Sequence, residues 1–312
     1  PDMSDVTVIG AGIMGLACAR ALALDGARVT LVDASDVVRP ASRAAAGMCA
    51  PDSEALLHPP ADPGEIALWR AGLAAWEAFE AHAGADAGLD ADVRGTDILT
   101  ADGAARFMPG ERLVDPVRAM AGLMAQARDA GVRVAKSAQA ATGAVVIAAG
   151  AGSGAFAGLA PEPALVSPVR GQLLEIARPI AFPDRMVRGP GVYLAPRGDR
   201  LIIGATSHPG AIHLDARPED ARELLARARR LRPDLASAAV LASRVGLRPA
   251  TAFGPLIGPS TAPGVFLATG AHRNGVLIAL VAAEILAAAV AGRPHPLSTV
   301  VDPRRTSGPD RP

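Results

Sequence analysis

A short glycine-rich turn limits the fold of this sequence more than any other feature. Residues 10–15 read Gly-Ala-Gly-Ile-Met-Gly and follow an apolar run over residues 6–9 that predicts a buried strand. A helical pattern continues over residues 14–25, and residues 28–32 predict a second buried strand. The turn therefore joins the first strand to the helix of a βαβ unit.

The residues of this unit match the fingerprint of a dinucleotide site. Gly10 permits a tight turn, Gly12 lets the backbone approach a pyrophosphate at the helix N-terminus, and Gly15 allows close helix packing. Asp33 stands 33 − 10 = 23 positions after the first glycine, where a carboxylate at the end of the second strand accepts hydrogen bonds from a ribose. The motif alone leaves NAD and FAD open.

Other segments predict the rest of this sheet and a second one. Residues 144–150 and 264–268 read as buried strands, and Asp115 followed by a proline predicts the N-cap of a helix. Residues 191–196 and 201–205 flank a Gly-Asp pair, which predicts a β-hairpin. We therefore expect both a parallel and an antiparallel sheet.

The charge balance narrows the class of partner. The chain has 31 basic and 31 acidic residues and only 3% aromatic residues, which argues against nucleic acid or an anionic membrane as partner. Two cysteines, Cys18 and Cys49, cannot form a disulfide framework, so we expect a reducing, cytoplasmic setting. The first apolar stretch follows an acidic start and predicts a strand, so we expect no signal peptide. Trp69 and Trp76 fall at helical spacing and should face the core. The apolar run 276–290 is shorter than the roughly 18 residues of a membrane span and predicts a buried helix.

A run of small residues, Ser-Arg-Ala-Ala-Ala-Gly-Met at 42–48, lies shortly after Asp33. Such a loop can place its backbone N–H groups against a cofactor because no bulky side chain intervenes. An alanine-rich linker of no special role explains the composition equally well.

Several motifs, taken together and in this order, resemble the D-amino-acid-oxidase-type family of FAD-dependent oxidoreductases, and in particular the glycine oxidases of thiamine biosynthesis. They extend from about residue 6 to residue 292. They are the fingerprint with its acid, the run of small residues at 42–48, Val-Asp-Pro at 114–116, Pro-Val-Arg-Gly-Gln at 168–172, Tyr-Leu-Ala-Pro-Arg at 193–197, Gly-Ala-Thr at 204–206, Gly-Leu-Arg-Pro at 246–249 and Arg-Asn-Gly at 273–275.

This resemblance implies a cofactor and an activity. It implies bound FAD and oxidative deamination of a small amino acid or amine, such as glycine, sarcosine or a small D-amino acid. The product would be an imine, formed by hydride transfer to the flavin N5, with O2 reduced to H2O2. The cofactor contacts that it implies are Gly10, Gly12, Ile13, Met14, Gly15, Asp33, Ala34, Ser42, Ala45, Ala46, Gly47, Met48, Ala149, Gly150, Gly246, Arg248, His272, Arg273, Asn274, Gly275 and Val276.

The resemblance also implies three catalytic residues on the substrate side. Arg248 matches the family's carboxylate anchor, a task that suits the planar fork of arginine, whereas residue type alone would equally describe a surface arginine. Tyr193 would help to hold the carboxylate, or else is a half-buried strand aromatic. Arg273 would face the amine end and the flavin. His272 is given no role as a base, because hydride transfer from a neutral amine needs none, and the histidines show no metal-ligand spacing.

We therefore expect an α/β fold (α+β overall), in which a Rossmann-like FAD-binding domain with a parallel sheet is joined to an interleaved antiparallel-sheet substrate domain. The FAD-binding domain would comprise residues 1–52, 112–160 and 244–302, the substrate domain residues 53–111 and 161–243, and a flexible tail residues 303–312. The apolar helix would begin at Gly275 and direct the positive end of its dipole at the flavin, with Glu284 needing a partner or a solvent edge.

The sequence departs from the family pattern in places. Residues 135–143 are short where relatives insert a β-meander, residues 100–112 are also shortened, and His272 is displaced by one position. These departures keep two alternatives open: a flavin dehydrogenase with another electron acceptor, and a non-catalytic ligand-binding relative with weakened FAD binding. The oligomeric state, a homo-oligomer included, is also left open.

Overall fold

The computed structural model describes residues 5–33, 41–58, 62–100, 104–137 and 143–307, and every statement below refers to these ranges. Its α-helices are α1 (Ile13–Leu24), α2 (Ala41–Ala44), α3 (Pro51–Leu57), α4 (Pro63–Ala83), α5 (Pro116–Asp129), α6 (Pro218–Leu231), α7 (Ala279–Val290) and α8 (Ser298–Val301). Its strands are β1 (Asp5–Ile9), β2 (Arg28–Val32), β3 (Met48–Cys49), β4 (Leu89–Leu99), β5 (Ala105–Val114), β6 (Arg133–Ala135), β7 (Ala144–Ile147), β8 (Ser167–Ala177), β9 (Met186–Gly189), β10 (Val192–Arg197), β11 (Arg200–Gly204), β12 (His208–Pro209), β13 (Val240–Ala250), β14 (Leu256–Pro259) and β15 (Val265–Thr269).

The first sheet has six strands in the order β14-β15-β7-β1-β2-β6. β1 pairs in parallel with β2 and β7, β15 pairs in parallel with β7, and β14 adds an antiparallel edge. Val6 and Val8 are 1% and 0% exposed, as expected of a strand that is covered on both faces. The carboxyl ends of β1, β7 and β15 meet at one edge, which brings the loops after them together. The predicted parallel sheet is confirmed.

Four helices, α1, α4, α5 and α7, form the main core with this sheet. α1 and α7 pack against each other, and Glu284 is the exposed position of α7 between buried neighbours, so its predicted solvent edge is confirmed. α4 crosses α7, and a Cβ at Gly72 would lie only 2.4 Å from the Leu277 carbonyl oxygen. The Trp76 Nε1–H donates to the Val276 carbonyl oxygen at 2.8 Å. Glycine at position 72 and the buried indole together let α4 lie close to the segment before α7.

The second sheet has nine strands, in the order β12-β8-β11-β10-β9-β4-β5-β3 with β13 paired beside β8. β10 and β11 form the predicted hairpin, with Tyr193 opposite Gly204 and Arg197 opposite Arg200. α6 covers one face of this sheet with Leu224 and Ala228, both 0% exposed. Its strand pairs are antiparallel except that of β4 with β9, which is parallel, so the predicted antiparallel sheet is also confirmed.

Two elements cross the boundaries that the sequence predicts between domains. β13 pairs with β8 from Val240 to Ala250, although residues 244–250 were expected in the FAD-binding domain. α4 was expected in the substrate domain, yet Leu68 and Trp76 lie in the core of the first sheet. The two sheets thus share connecting elements, and the division of the chain into domains at these boundaries stays a prediction.

Two further expectations differ from the structure. α7 begins at Ala279, so the predicted helix start at Gly275 is wrong: the Ala279 N–H donates to the Val276 carbonyl oxygen, three residues back, in a turn tighter than an α-helix. Residues Pro303–Ser307 form a 3₁₀-helix in which Thr306 is 4% exposed and Arg305 Nη2 donates to the Pro255 carbonyl oxygen at 2.8 Å. This part of the predicted flexible tail therefore packs on the fold, and residues 308–312 lie outside the described ranges.

Candidate active site

A cavity of about 1180 Å³ is lined by residues of both sheets. Its walls include the turn after β1, the loop before β3, and side chains of β10 and β13. Sites for drug-sized ligands commonly measure about 300–1,000 Å³. This cavity is large enough for a dinucleotide together with a small second molecule.

The glycine-rich turn forms one wall of the cavity. Gly10 has a φ of +106°, and a Cβ there would lie 2.5 Å from the Ala148 carbonyl oxygen. A Cβ on Gly15 would lie 1.8 Å from the Gly10 carbonyl oxygen, so glycine is required where α1 approaches β1. A Cβ on Gly12 would contact only Ser42 Oγ, at 3.5 Å. The N-terminus of α1 therefore has open backbone, as a pyrophosphate needs.

The run of small residues closes over the N-terminus of α1. The Ile13 N–H donates to Ser42 Oγ at 3.1 Å, and the hydroxyl still has its own proton to donate to an anion. Gly47 has a φ of +82°, and a Cβ there would lie 1.8 Å from the Val114 carbonyl oxygen. These contacts explain the hydroxyl residue at position 42 and the glycine at position 47. They favour the interpretation of residues 42–48 as a loop that contacts a cofactor over that of a linker without a special role.

Two other strand ends reach the same cavity. Asp33 follows β2, lines the cavity, and donates its backbone N–H to the Ala135 carbonyl oxygen at 3.0 Å. Ala149 and Gly150 follow β7 and line the cavity on the other side of β1. Ala34, which was predicted beside Asp33, lies outside the described residues.

Arg248 reaches the cavity from β13. Its Nη1 donates to the Thr206 carbonyl oxygen at 3.1 Å, and among the described residues no acidic side chain pairs with it. The guanidinium lies against Gly171, where a Cβ would be 2.4 Å from Nη1. Because a guanidinium has five N–H donors, most of its hydrogen-bonding capacity can serve a ligand.

Tyr193 stands beside Arg248 in the cavity. Its ring lies over Gly204 on the next strand, where a Cβ would be 2.2 Å from the hydroxyl oxygen. Burial raises the pKa of Tyr193, although the charges of Arg248 and Arg273 partly oppose this effect. The hydroxyl therefore keeps its proton at neutral pH and can donate it to a ligand.

The residues that line the cavity include Glu54, His58 and Arg188, which the sequence analysis did not assign to the site. Arg188 Nη2 donates to Glu54 Oε2 at 2.8 Å, Arg273 Nε lies 3.4 Å from Oε1, and His58 Nε2 lies 3.9 Å from Oε1. Burial alone would raise the pKa of Glu54, but the charges of Arg188 and Arg273 lower it overall. An acid in the first turn of a short helix looks like an ordinary partner of the helix dipole, which is why the sequence did not single it out.

His272 has an unusual backbone and an unusual side chain. Its φ is +45°, and its Nε2 is buried without a hydrogen-bond partner among the described residues. Burial, and then the charges of Arg248 and Arg273, lower the pKa of His272 to about 4. The imidazole is therefore neutral at neutral pH, and an unpartnered buried nitrogen in this wall fits a contact with a bound group.

Within the described ranges, the predicted site residues line the cavity with one exception: Gly15 packs against Gly10 instead. The same part of the chain contains no cluster of three histidine, cysteine or carboxylate side chains that could hold a metal ion. None of the helices described is long and apolar enough to cross a membrane.

Comparison with known proteins agrees with this site. Residues 5–105 and 89–289 match the DAO family, described as FAD dependent oxidoreductase. The chain is 30% identical to a glycine oxidase of Pseudomonas aeruginosa over 96% of both proteins. It is 29% identical to the bifunctional protein ThiO/ThiG of a Nostoc species over 91% of its own length, but it spans only about half (52%) of that protein.

A solved structure has the same arrangement of sheets. The glycine oxidase of Geobacillus kaustophilus superposes with a TM-score of 0.82 and 25% identity, covering 94% of this chain and 96% of that one. The family match covers far more than half of the chain. The chain therefore belongs to the DAO family of FAD-dependent oxidoreductases.

Proposed function

We propose that the protein oxidises a small amino acid or amine to the imine and passes the electrons to O2. Glycine, sarcosine and small D-amino acids are the candidate substrates, and glycine oxidases are among the proteins that it resembles. A hydride leaves Cα and a proton leaves the nitrogen to form the C=N bond, while O2 takes up two electrons and two protons to give H2O2. The observation that supports this most is Arg248, a guanidinium without an acidic partner in the described cavity.

FAD, when bound, supplies the hydride acceptor. The open backbone at Gly12 and the hydroxyl of Ser42 would hold the pyrophosphate, and Asp33 would accept hydrogen bonds from the ribose. Residues 45–48 and 272–276 also line the cavity and would face the flavin.

Arg248 and Tyr193 would hold the substrate carboxylate. The guanidinium offers a planar pair of N–H donors and the phenol one O–H donor, and the absent side chains of Gly171 and Gly204 make room for both groups. Fixing the carboxylate on one side orients the Cα–H toward the acceptor, which is the main contribution that a protein makes to such a reaction.

The charges of the cavity favour the reactive form of the amine. Three guanidinium groups and one carboxylate, that of Glu54, meet in this part of the cavity, so a further positive charge is disfavoured and the substrate ammonium loses a proton more readily. His272 is neutral and adds no charge, and the proposal gives it no role as a base.

A cytoplasmic location belongs to the same proposal. Cys18 and Cys49 are both free and buried. Burial raises the pKa of the Cys18 thiol to about 12, so it is unreactive. Unpaired thiols of this kind suit a reducing compartment.

The visible spectrum of the purified, FAD-loaded protein tests the proposal. Addition of glycine, sarcosine or D-alanine without oxygen should bleach the flavin bands, and readmission of air should restore them with formation of H2O2. Bleaching without reoxidation by air would instead indicate a dehydrogenase that uses another acceptor. A flavin that none of these compounds reduces would contradict the proposed substrate class.

Substitution of the carboxylate anchor makes the test specific. Arg248→Met should lower kcat/KM for glycine by roughly 100-fold, mainly through a higher KM, because it removes charged hydrogen bonds to the substrate. Arg244→Met is the matched control, since Arg244 lies on the same strand, pairs with Glu175 and does not line the cavity. Equal kinetics for the two variants would rule out the anchoring role.

A further inference from the structure

A buried carboxylate in the substrate end of the cavity has no part in the function proposed above. Glu54 belongs to α3, is 7% exposed, and lines the same cavity as Arg248 and Tyr193. A buried charge is costly unless it is paired, so its partners indicate what it does.

Glu54 binds two of the four arginines that line the cavity, and a third, Arg227, pairs with Glu223. Arg188 donates to Oε2 at 2.8 Å, and Arg273 lies 3.4 Å from Oε1. The side chain of Arg188 is 4% exposed and that of Arg273 is 40% exposed, so the carboxylate links an interior cation to one at the edge of the cavity.

Arg248 differs from these two arginines. Its hydrogen bond goes to a backbone carbonyl, and no acidic side chain in the described part of the chain pairs with it. A carboxylate that enters the cavity therefore finds one guanidinium available and two that already share an anion. A second carboxylate on the same ligand would have to compete with Glu54 for Arg188 and Arg273.

We propose that Glu54 is a specificity-determining residue, which occupies Arg188 and Arg273 and so favours amines with one carboxylate over amines with two. The inference rests on the proposed function, because it takes Arg248 as the anchor of the substrate carboxylate. It assigns Glu54 no role in the chemical step. Loss of its negative charge should therefore change which ligands bind far more than how fast a bound substrate reacts.

Calorimetric titration of the FAD-loaded protein with acetate and with malonate tests the proposal, because the two ligands differ in the number of carboxylates. In Glu54→Gln, the preference for malonate over acetate should rise about tenfold relative to the unmodified protein, since two guanidinium groups lose their competing anion. Neither ligand is oxidised, so the measurement remains valid even if the protein turns over no amine and the proposed function fails.

Kinetics provide a second readout if the protein is active. The ratio of KM for glycine to KM for iminodiacetate should rise in Glu54→Gln by about the same factor, while the ratio of the two kcat values stays within about twofold. A change in kcat without a change in the KM ratio would overturn the proposal, because it would place Glu54 in the chemical step.

Two further variants separate specificity from folding. Glu111→Gln is the matched control. Glu111 is 1% exposed, accepts hydrogen bonds from Ser53, the neighbour of Glu54 in α3, and does not line the cavity. The preference of this variant between acetate and malonate should therefore equal that of the unmodified protein. Glu54→Gln combined with Arg188→Met removes the buried cation that the single variant would leave unpaired. In this double variant only Arg273 loses its anion, so the preference for malonate should rise less than in Glu54→Gln. An unchanged acetate-to-malonate preference in folded Glu54→Gln, or an equal change in Glu111→Gln, would overturn the proposal.

Discussion

At the scale of single residues, His272 shows how the site differs from the rest of the fold. Among the described residues it is the non-glycine position with a positive φ, +45°, and its backbone N–H donates to the Pro249 carbonyl oxygen at 2.7 Å. Backbone conformations of this kind are kept where the surroundings determine them strongly, which is common at ligand sites. The backbone hydrogen bond between His272 and Pro249 thus fixes the part of the cavity wall that lies beside Arg248.

The stability of the protein should depend on the protonation of His272. The pKa of His272 is lowered to about 4 in the fold, against about 6.5 in an unfolded chain, so protons bind preferentially to the unfolded state between these values. The contribution of the neutral imidazole is complete above about pH 6.5 and is lost as the pH falls toward about 4.

Urea unfolding of the protein and of His272→Asn at several pH values measures this effect. Asparagine tolerates the left-handed backbone, so the variant removes the titrating group with little strain. The difference in unfolding free energy between the two proteins should fall as the pH drops from about 7 to about 4. A difference that does not vary with pH would show that His272 has the same pKa in both states.

Residues that belong to local motifs were predictable, and residues that act through distant partners were not. Gly10, Gly12 and Ser42 lie in short patterns whose spacing is fixed by one turn or one loop. Glu54 and Arg188 are 134 positions apart, and their pairing depends on how α3 meets β9. No periodicity or spacing in a single sequence records such a contact.

At the scale of elements, α4 supports the segment that carries His272 and its neighbours. Residues 271–278 form turns between β15 and α7 rather than part of a helix. The Trp76 Nε1–H donates to the Val276 carbonyl oxygen at 2.8 Å within this segment, and Trp76 is 0% exposed. The same carbonyl accepts a longer bond from the Ala279 N–H, at 3.3 Å, so α4 supplies the shorter of its two hydrogen bonds.

Trp76→Phe should therefore destabilise the protein and weaken its hold on FAD. Loss of the indole donor removes the shorter of the two hydrogen bonds to the Val276 carbonyl, which costs about 0.5–1.5 kcal/mol, and a smaller ring adds a packing defect. Chemical unfolding and FAD titration measure the two effects. Trp69→Phe, in the same helix, makes the same change of ring without removing a bond to Val276, so an equal loss of FAD affinity in both variants would argue against the supporting role.

The first residue of α7 could not be predicted for a related reason. The apolar run from Val276 indicates a buried helix correctly, because apolar character depends on residue type. The first residue of the helix depends on where the tight turn at Ala279 gives way to regular bonding, and this is set by the packing of Leu277 against Gly72. Because the helix begins at Ala279 and not at Gly275, the positive end of its dipole also lies later in the chain than predicted.

At the scale of the whole molecule, the cavity joins the two sheets through shared walls. The turn after β1 belongs to the first sheet, and Arg248 and Tyr193 belong to the second. A ligand that contacts both walls binds the folded protein and has no comparable site in the unfolded chain. Binding then stabilises both sheets together.

Saturation with FAD should raise the Tm of the apoprotein by about 4 °C, since a ligand at 100 times its Kd contributes about 2.7 kcal/mol. Differential scanning calorimetry with and without FAD measures the shift. Gly12→Val is the matched variant: the fold has room for a Cβ there, with the nearest atom at 3.5 Å, but the side chain would occupy the expected pyrophosphate position. Its Tm should not respond to FAD, and a shift equal to that of the unmodified protein would contradict this placement.

The order of strands in the first sheet also determines when the cofactor site comes into existence. β1, β7 and β15 are neighbours in space but come from residues 5–9, 144–147 and 265–269. While the chain is being synthesised, β7 remains an open edge until the last of these strands leaves the ribosome, and the turns at 271–278 follow later still. The glycine-rich turn is thus synthesised early, but the pocket that it lines is complete only once the strands from all three segments and the turns at 271–278 have been made.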